Sequence, residues 1–448
     1  FSKDNVEIIM QRGYEAAMQQ DSLLRDVADR TKGKYFSLPK QPAAGMSKDT
    51  LVIAGFEMTG VLPKERVLLK NRLKLKYGQK LSKGELDHIV AQIYGTQAYD
   101  FVTYELLGKE EPYELVLNCK RGPIHQFGLG VRVDTEEIVS VLLNLGYNTH
   151  KLNGHAFDLT GKISASPYLR LHWSYDVPKI PTINASASIR WTDLNMLNFW
   201  DNSLSLSLMH AKQELYLSNI KWKHMDIRSG LRNEIINIRN VKASQIIGDY
   251  DFNLLSNDYV SIFGEAERYT FDDGYFPTKG VDAGLSYSWT FTGFPNKVHN
   301  FHVLRADFKA VLSVGEKFAF MPSFDFRFLF GKDIPVAYFN AIGGSLAGRY
   351  VEQQIPFIGC NHLSAMENIL TLYRVDFRYM PARNHYLTAI VNYARDCETF
   401  RNYGVGLGYF GAGLEYSFDT IFGPITANVH WSNLTNKVGF YLSAGYSF

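Results

Sequence analysis

From Gly122 to the last residue, Phe448, large apolar and charged residues alternate, and this sustained two-residue period leaves few folds open. In the segment 317–330, Phe318, Phe320, Phe324, Phe326, Phe328 and Phe330 share one parity, while Ser323, Asp325 and Arg327 share the other. The preceding segment sets Leu304, Ala306, Phe308 and Ala310 against Arg305, Asp307 and Lys309, and a later one sets Tyr373, Val375 and Phe377 against Arg374, Asp376 and Arg378. Successive side chains of a strand point to opposite faces, so each segment carries one apolar face and one face of paired charges. Two such faces need two solvents, and a closed wall between lipid and a wet lumen supplies them. The charged residues are therefore expected inside and the Phe side chains outside. A soluble sandwich also alternates, but its apolar faces must meet across one core of finite thickness, which does not suit so long a run.

Sixteen such segments can be marked, the first at 124–133 and the last at 437–448, with turn residues between them. An even number returns both barrel ends to one side of the membrane. The longest connection, residues 331–365, then falls between the eleventh and twelfth strands on the outer side. Loops of that length in compact folds are usually functional, and this one is expected to fold into the lumen as a lid. No stretch approaches the ~18 apolar residues of a membrane helix, which excludes a helical membrane protein. Lys plus Arg (47) nearly balances Asp plus Glu (45), so charge offers no argument for a nucleic-acid partner.

Before the barrel, residues 1–31 have a helical pattern and 32–48, rich in Pro, Gly and Lys, read as a linker. Residues 49–121 form a small α+β module. Residues 51–53 make a strand and 63–76 a basic helix; Ser82 with Glu85 three positions on is a capping box opening a second helix through Ile93; strands follow at 101–107 and 114–120. This β-α-α-β-β order resembles a POTRA domain, the periplasmic module that precedes many outer-membrane barrels. The fold expected overall is a 16-stranded antiparallel barrel over 122–448, preceded by one POTRA domain and an N-terminal helical segment.

The lid carries Gly343, Gly344, Ser345, Leu346, Ala347, Gly348, Arg349 and Tyr350. This resembles the superfamily of outer-membrane assembly and two-partner secretion barrels, in which a Gly-Gly pair precedes a Val-Arg-Gly-Phe/Tyr motif. The resemblance implies that Arg349 enters the lumen and pairs with a wall carboxylate. Here Arg349 follows its glycine, and Asn392 stands where the family often has the carboxylate, leaving Asp376 and Asp325 as candidates. The final alternation of Val438, Phe440, Leu442, Ala444, Tyr446 and Phe448 resembles the signal that outer-membrane barrels present to their assembly machinery, which makes that machinery a partner during biogenesis.

Gly348-Arg349-Tyr350 through Gln353-Gln354-Ile355-Pro356-Phe357-Ile358-Gly359, together with Gly13-Tyr14-Glu15-Ala16-Ala17, is similar to barrels fused to patatin-like phospholipases of Gram-negative outer membranes. That resemblance implies the membrane anchor or translocator of a lipase. The chain opens with Phe1 and carries no signal peptide, so further residues, including the acyl-ester hydrolase domain, are expected upstream. Two alternatives stand beside it: an assembly or secretion barrel acting on polypeptides, and a passive porin. Outer-membrane lipid is the expected partner of the Phe-rich wall, with a second copy of the chain as another candidate. The N-terminus and POTRA module are expected in the periplasm.

Catalytic machinery is not expected in this chain. Gly343-Gly344-Ser345-Leu346-Ala347 ends in Ala and lies in the lid, not on a strand-to-helix turn, and Asp273-Gly274 is followed by Tyr275 in a turn. No metal, cofactor or nucleotide motif is present. Cys360, at the end of the lid, and Cys397, just beyond the strand 383–395, fall on neighbouring outer loops, where an oxidising milieu would pair them in a disulfide. Cys119 lies on the module's last strand, on the other side of the membrane.

Overall fold

Alternation closes into a barrel in the computed structural model. The structure describes residues 3–23, 25–26, 50–73, 75–96, 98–149, 154–176, 180–197, 203–243, 257–294, 299–332, 334–405 and 408–448. The linker expected at 32–48 and the end of the helical segment before it lie outside the described residues. The chain divides into two units, Phe1–Gly122 and Pro123–Phe448.

The first unit begins with helix α1 (Lys3–Gln19). Its sheet has the order β2-β1-β4-β3, from β1 (Thr50–Thr59), β2 (Lys80–Ser82), β3 (Phe101–Leu107) and β4 (Tyr113–Lys120). β1 and β4 run parallel, and helices α2 (Pro63–Leu73) and α3 (Lys83–Tyr94) fall between β1 and β3 in the chain. The capping box forms as its spacing predicts: Ser82 Oγ accepts from the Glu85 N–H, and the Glu85 carboxylate accepts from the Ser82 N–H at 2.7 Å. Behind it, Leu69, Leu86 and Ile93 bury with Ile53, Met58, Leu115 and Leu117 of the sheet. Two features differ from expectation. β1 runs ten residues, because Gly55 interrupts its apolar pattern without ending it, and three-residue β2, too short to show a period, pairs with it.

The second unit contains sixteen wall strands among the described residues. They are β5 (His125–Asp134), β6 (Ile138–Asn148), β7 (Gly154–Ile163), β8 (Tyr168–Asp176), β9 (Thr182–Leu197), β10 (Ser203–Trp222), β11 (Met225–Ala243), β12 (Asn257–Tyr269), β13 (Gly280–Phe294), β14 (Asn300–Val314) and β15 (Phe318–Lys332). After the lid strands β16 (Asn340–Ile342), β17 (Gln354–Ile355) and β18 (Leu363–Met366), the wall resumes with β19 (Ile369–Ala382), β20 (His385–Cys397), β21 (Gly408–Phe418), β22 (Ile425–Ser432) and β23 (Lys437–Gly445). β15 pairs directly with β19, and every wall pairing is antiparallel. Some turns at the end where β5 begins are tight. Lys223 and Asn384 take positive φ (56° and 65°) in the two-residue turns β10–β11 and β19–β20.

Parity sorts the two faces. Phe308, Leu312, Phe318, Tyr373 and Phe377 are exposed on the outside, where Phe324 lies beside Tyr373 (ring centroids 5.0 Å). The opposite parity turns into the lumen, where Arg374 holds Asp376 at 2.7 Å.

Candidate functional site

The barrel closes where β23 meets β5, in a register of only three pairs: Ser443↔Asp134, Ala444↔Val133 and Gly445↔Arg132. Residues 125–131 of β5 have no strand partner on that side among the described residues. The cause is at Gly445. Its φ of +111° is open only to glycine, and an added Cβ would meet the Val131 carbonyl oxygen at 2.4 Å. Beyond it the chain leaves the ladder. Phe440 and Leu442 face outward as their alternation predicts, and Tyr446 is exposed, but Phe448 does not follow them. Its ring lies against Gly130 and under the Arg132 guanidinium, 5.4 Å from the centroid, on the lumen side.

The lid runs from the end of β15 at Lys332 to the start of β19 at Ile369, slightly beyond the expected 331–365. β16 pairs parallel with β17 and antiparallel with β18, and β18 adds in parallel to the end of β9 through Leu363↔Met196 and Ser364↔Leu197. Ile342, Ile355, Phe357 and Cys360 bury against Leu370, Leu372 and Ala394 of the wall. Both members of the Gly343-Gly344 pair take a positive φ. Gly343 (φ +124°) would put a Cβ 1.9 Å from the His362 carbonyl oxygen, and Gly344 (φ +69°) would put one 2.6 Å from the Gln354 amide. Gly348 (φ +64°) makes the bend before Arg349.

Arg349 is buried, and its Nη1 donates to Glu136 Oε2 at 2.7 Å and to Asp134 Oδ1 at 3.2 Å. The Ser345 N–H adds a bond to Glu136 Oε1 (3.1 Å), and Tyr350 lies beneath the guanidinium. The expected partners are therefore corrected. Asp376 is taken by Arg374, and Asp325 sits by Arg305 at 3.7 Å. Asn392 is fully buried on β20 and its amide makes no hydrogen bond. The lid arginine reaches the β5–β6 turn instead, where Arg132 bridges Asp134 and Glu137 (both 2.8 Å) and Lys162 holds Glu137 at 2.9 Å. Sequence did carry a signal for this site. Asp134, Glu136 and Glu137 put three carboxylates within four residues where β5 turns into β6.

Other anchors grip the rest of the wall. Tyr338 Oη donates to Glu234 Oε2 (2.6 Å), and Arg327 Nη1 donates to the Tyr338 carbonyl (2.9 Å) and Asn340 Oδ1 (2.6 Å). Ser432 Oγ donates to the Gly359 carbonyl (2.6 Å) and Asn361 Nδ2 to the Phe440 carbonyl (3.2 Å). The lid thus holds both flanks of the seam, β5 through Arg349 and β22–β23 through Gly359 and Asn361. Of the remaining lumen charges, Arg305 lies 3.5 Å from Asp307, Lys309 stands opposite Asp282 in the ladder, and Arg378 donates to the Pro277 carbonyl.

The expected disulfide is absent: Cys119, Cys360 and Cys397 are all free and buried. Cys360 packs in the lid core, its thiol donating to the His362 carbonyl at 3.1 Å. Cys397 has the parity of Val391 and Tyr393, which are exposed on the outer face of β20. β20 runs through Cys397, so by strand parity this cysteine belongs to the face opposite Ala394, which packs in the lid core with Cys360.

A family model for the OMP85 superfamily matches residues 180–448. Among solved structures, BamA from Haemophilus ducreyi lacking POTRA domains 1–3 is similar with a TM-score of 0.65 at 13% identity, over 89% of this chain and 85% of that one. CdiB from Acinetobacter baumannii (TM-score 0.49, 12% identity, 89% and 74%) and CdiB from Escherichia coli (0.48, 11%, 100% and 99%) are also similar. No curated protein is significantly similar in sequence.

Proposed function

Because the chain belongs to the OMP85 superfamily of outer-membrane barrels, we propose that it handles other polypeptides, assembling or secreting them by way of the β5–β23 seam. The observation that carries this reading is the three-pair closure beside an unpaired stretch of β5. A row of unpaired backbone N–H and C=O groups is costly in hydrocarbon and is a template for an incoming strand, so the seam is where the wall opens most cheaply and where a client strand can add. The lid then acts as the brake, because it is bonded to both flanks of the seam. In this reading the N-terminal unit is a periplasmic POTRA module that presents the client.

The lipase-anchor reading rests on the phrase 348–359 and on Gly13–Ala17 of α1. Lid packing accounts for the first: Phe357 and Cys360 fill the lid core, and Gly359 (φ +96°) fits against the Trp431 carbonyl, where a Cβ would stand 2.6 Å away. These residues need no fused hydrolase to explain them. A passive porin does not call for a lid bonded to the wall on several sides.

The test is a locked seam. Val133→Cys with Ala444→Cys joins a register pair across it, and the full chain is reconstituted in lipid vesicles with an unfolded outer-membrane client. Insertion of the client should be accelerated by the wild type, abolished by the oxidised double variant and restored by reductant. Equal rates for locked and reduced protein would overturn the proposal.

A further inference from the structure

Below the lid the lumen keeps a cavity of about 530 Å³, within the range of ligand pockets. Ten lysine and arginine side chains line it against four glutamates. The glutamates are all engaged: Glu214 and Glu265 by Arg232 (2.7 and 3.2 Å), Glu234 by His210 (3.0 Å) and Glu352 by Lys212 (2.7 Å). Two guanidiniums on adjacent strands have no carboxylate in ion-pair contact among the described residues. Arg170, on β8, is exposed to the lumen; Asp158, on the same face of β7, accepts from Asn144 and Thr160 instead. Arg190, on β9, gives one N–H to the Gly348 carbonyl (2.7 Å) and lies over the Tyr168 ring (5.7 Å).

Register fixes how these two stand. Tyr168 faces Arg190 and Arg170 faces Ser188, so the arginines are diagonal neighbours on one face, with the Ser188 hydroxyl beside them. Diagonal positions of an antiparallel pair lie ~7–8 Å apart. Alternate side chains of an extended peptide lie on one face about 6.7 Å apart. We propose that this cavity binds acidic polypeptide segments in extended form, with carboxylates at alternate positions seated on Arg170 and Arg190. The proposal rests on the polypeptide-handling reading and deepens it, by giving the chemistry of the segment that is held.

The experiment uses the full chain in nanodiscs and fluorescence anisotropy of labelled peptides that differ at two alternate positions: Asp-x-Asp, Asn-x-Asn and Lys-x-Lys. The Asp peptide should bind with an affinity that falls as salt rises, the other two should not, and Arg170→Gln should weaken the Asp peptide about tenfold. Arg170→Lys keeps the charge and should retain most of the affinity, which separates charge from misfolding. Equal binding of Asp and Asn peptides, an unchanged affinity in Arg170→Gln, or displacement by an equal concentration of inorganic phosphate would each overturn it. If peptide binding fails while client insertion still depends on an unlocked seam, the acidic site falls and the proposed function stands; if both fail, both fall.

Discussion

β10 is held to β9 from Ser203↔Leu197 through Ser218↔Thr182 and to β11 as far as Trp222↔Met225, whereas β23 meets β5 at three positions only. Both regions are made of strands with the same alternation, so the contrast is not one of strand-forming sequence. On the back wall the ladders run almost the full length of the strands, and inward side chains such as Glu214 with Arg232 (2.7 Å) and Glu234 with His210 (3.0 Å) add bridges. At the seam Gly445 turns the chain out of the ladder, and closure passes to the lid and to a cluster of buried charges around Asp134. The barrel is thus uniform in pattern and uneven in cohesion. Its seam combines a short backbone ladder with side-chain bonds from the lid.

The largest effect should come from Arg349→Ala. It would leave Asp134 and Glu136 with less compensation in a buried turn, a loss of ~3 to 5 kcal/mol in barrel stability. An equivalent change on the back wall, Arg228→Ala, where the side chain is half exposed, should cost well under that. Thermal unfolding of both variants in one detergent, read by heat-dependent mobility on a gel, makes the comparison. Similar losses would erase the distinction between seam and wall.

Next in size is Leu215→Arg, which puts a charge on the exposed outer face of β10. About 2 to 4 kcal/mol should be lost if that face sits in hydrocarbon, while Ser286→Arg, on the lumen face of β13, should be tolerated. Folding in lipid vesicles under urea reads both, and an outer face that accepts arginine as easily as the lumen does would invert the assigned register.

Gly359→Ala is expected to cost about 1 to 3 kcal/mol, because it strains a positive φ and drives a Cβ into the Trp431 carbonyl. Its sharper signature is local: cross-linking of Cys pairs between the lid and β22 should fall while β9–β10 pairs are unaffected.

The smallest effect lies in the N-terminal unit. Ser82→Ala removes the α3 cap, at about 1 kcal/mol. The hydrogen bond from the Ser82 backbone holds the Glu85 carboxyl below its usual value of 4.5, so its stabilising contribution is present above that pH and is lost as pH falls through the lower, folded value. Glu85→Gln should flatten this acid dependence in hydrogen exchange of α3. In the same unit burial pushes the Cys119 thiol up to about 11, so maleimide should label it only on unfolding.

Much of this was legible before any coordinates. Phe318 through Phe330 and their charged neighbours fixed the two faces, and Ser82 with Glu85 placed a helix start to the residue, because both depend on neighbours in the chain. Phe448 shows where such reasoning stops. Parity assigns it to the outer face, yet Gly445 breaks the ladder three residues earlier, and what lies beyond follows the lumen charge of Arg132.

By itself, then, sequence determined the strand period, the number of wall strands, the placing of the lid and the identity of its arginine, since each is a local pattern read at fixed spacing. Which carboxylates receive Arg349, that Cys360 and Cys397 stay unpaired, and how short the closing ladder is were decided only in three dimensions. Those outcomes bring together residues as far apart as Asp134 and Ser443. Their contact follows from closing the barrel and packing the lid inside it, a global constraint that no local pattern carries.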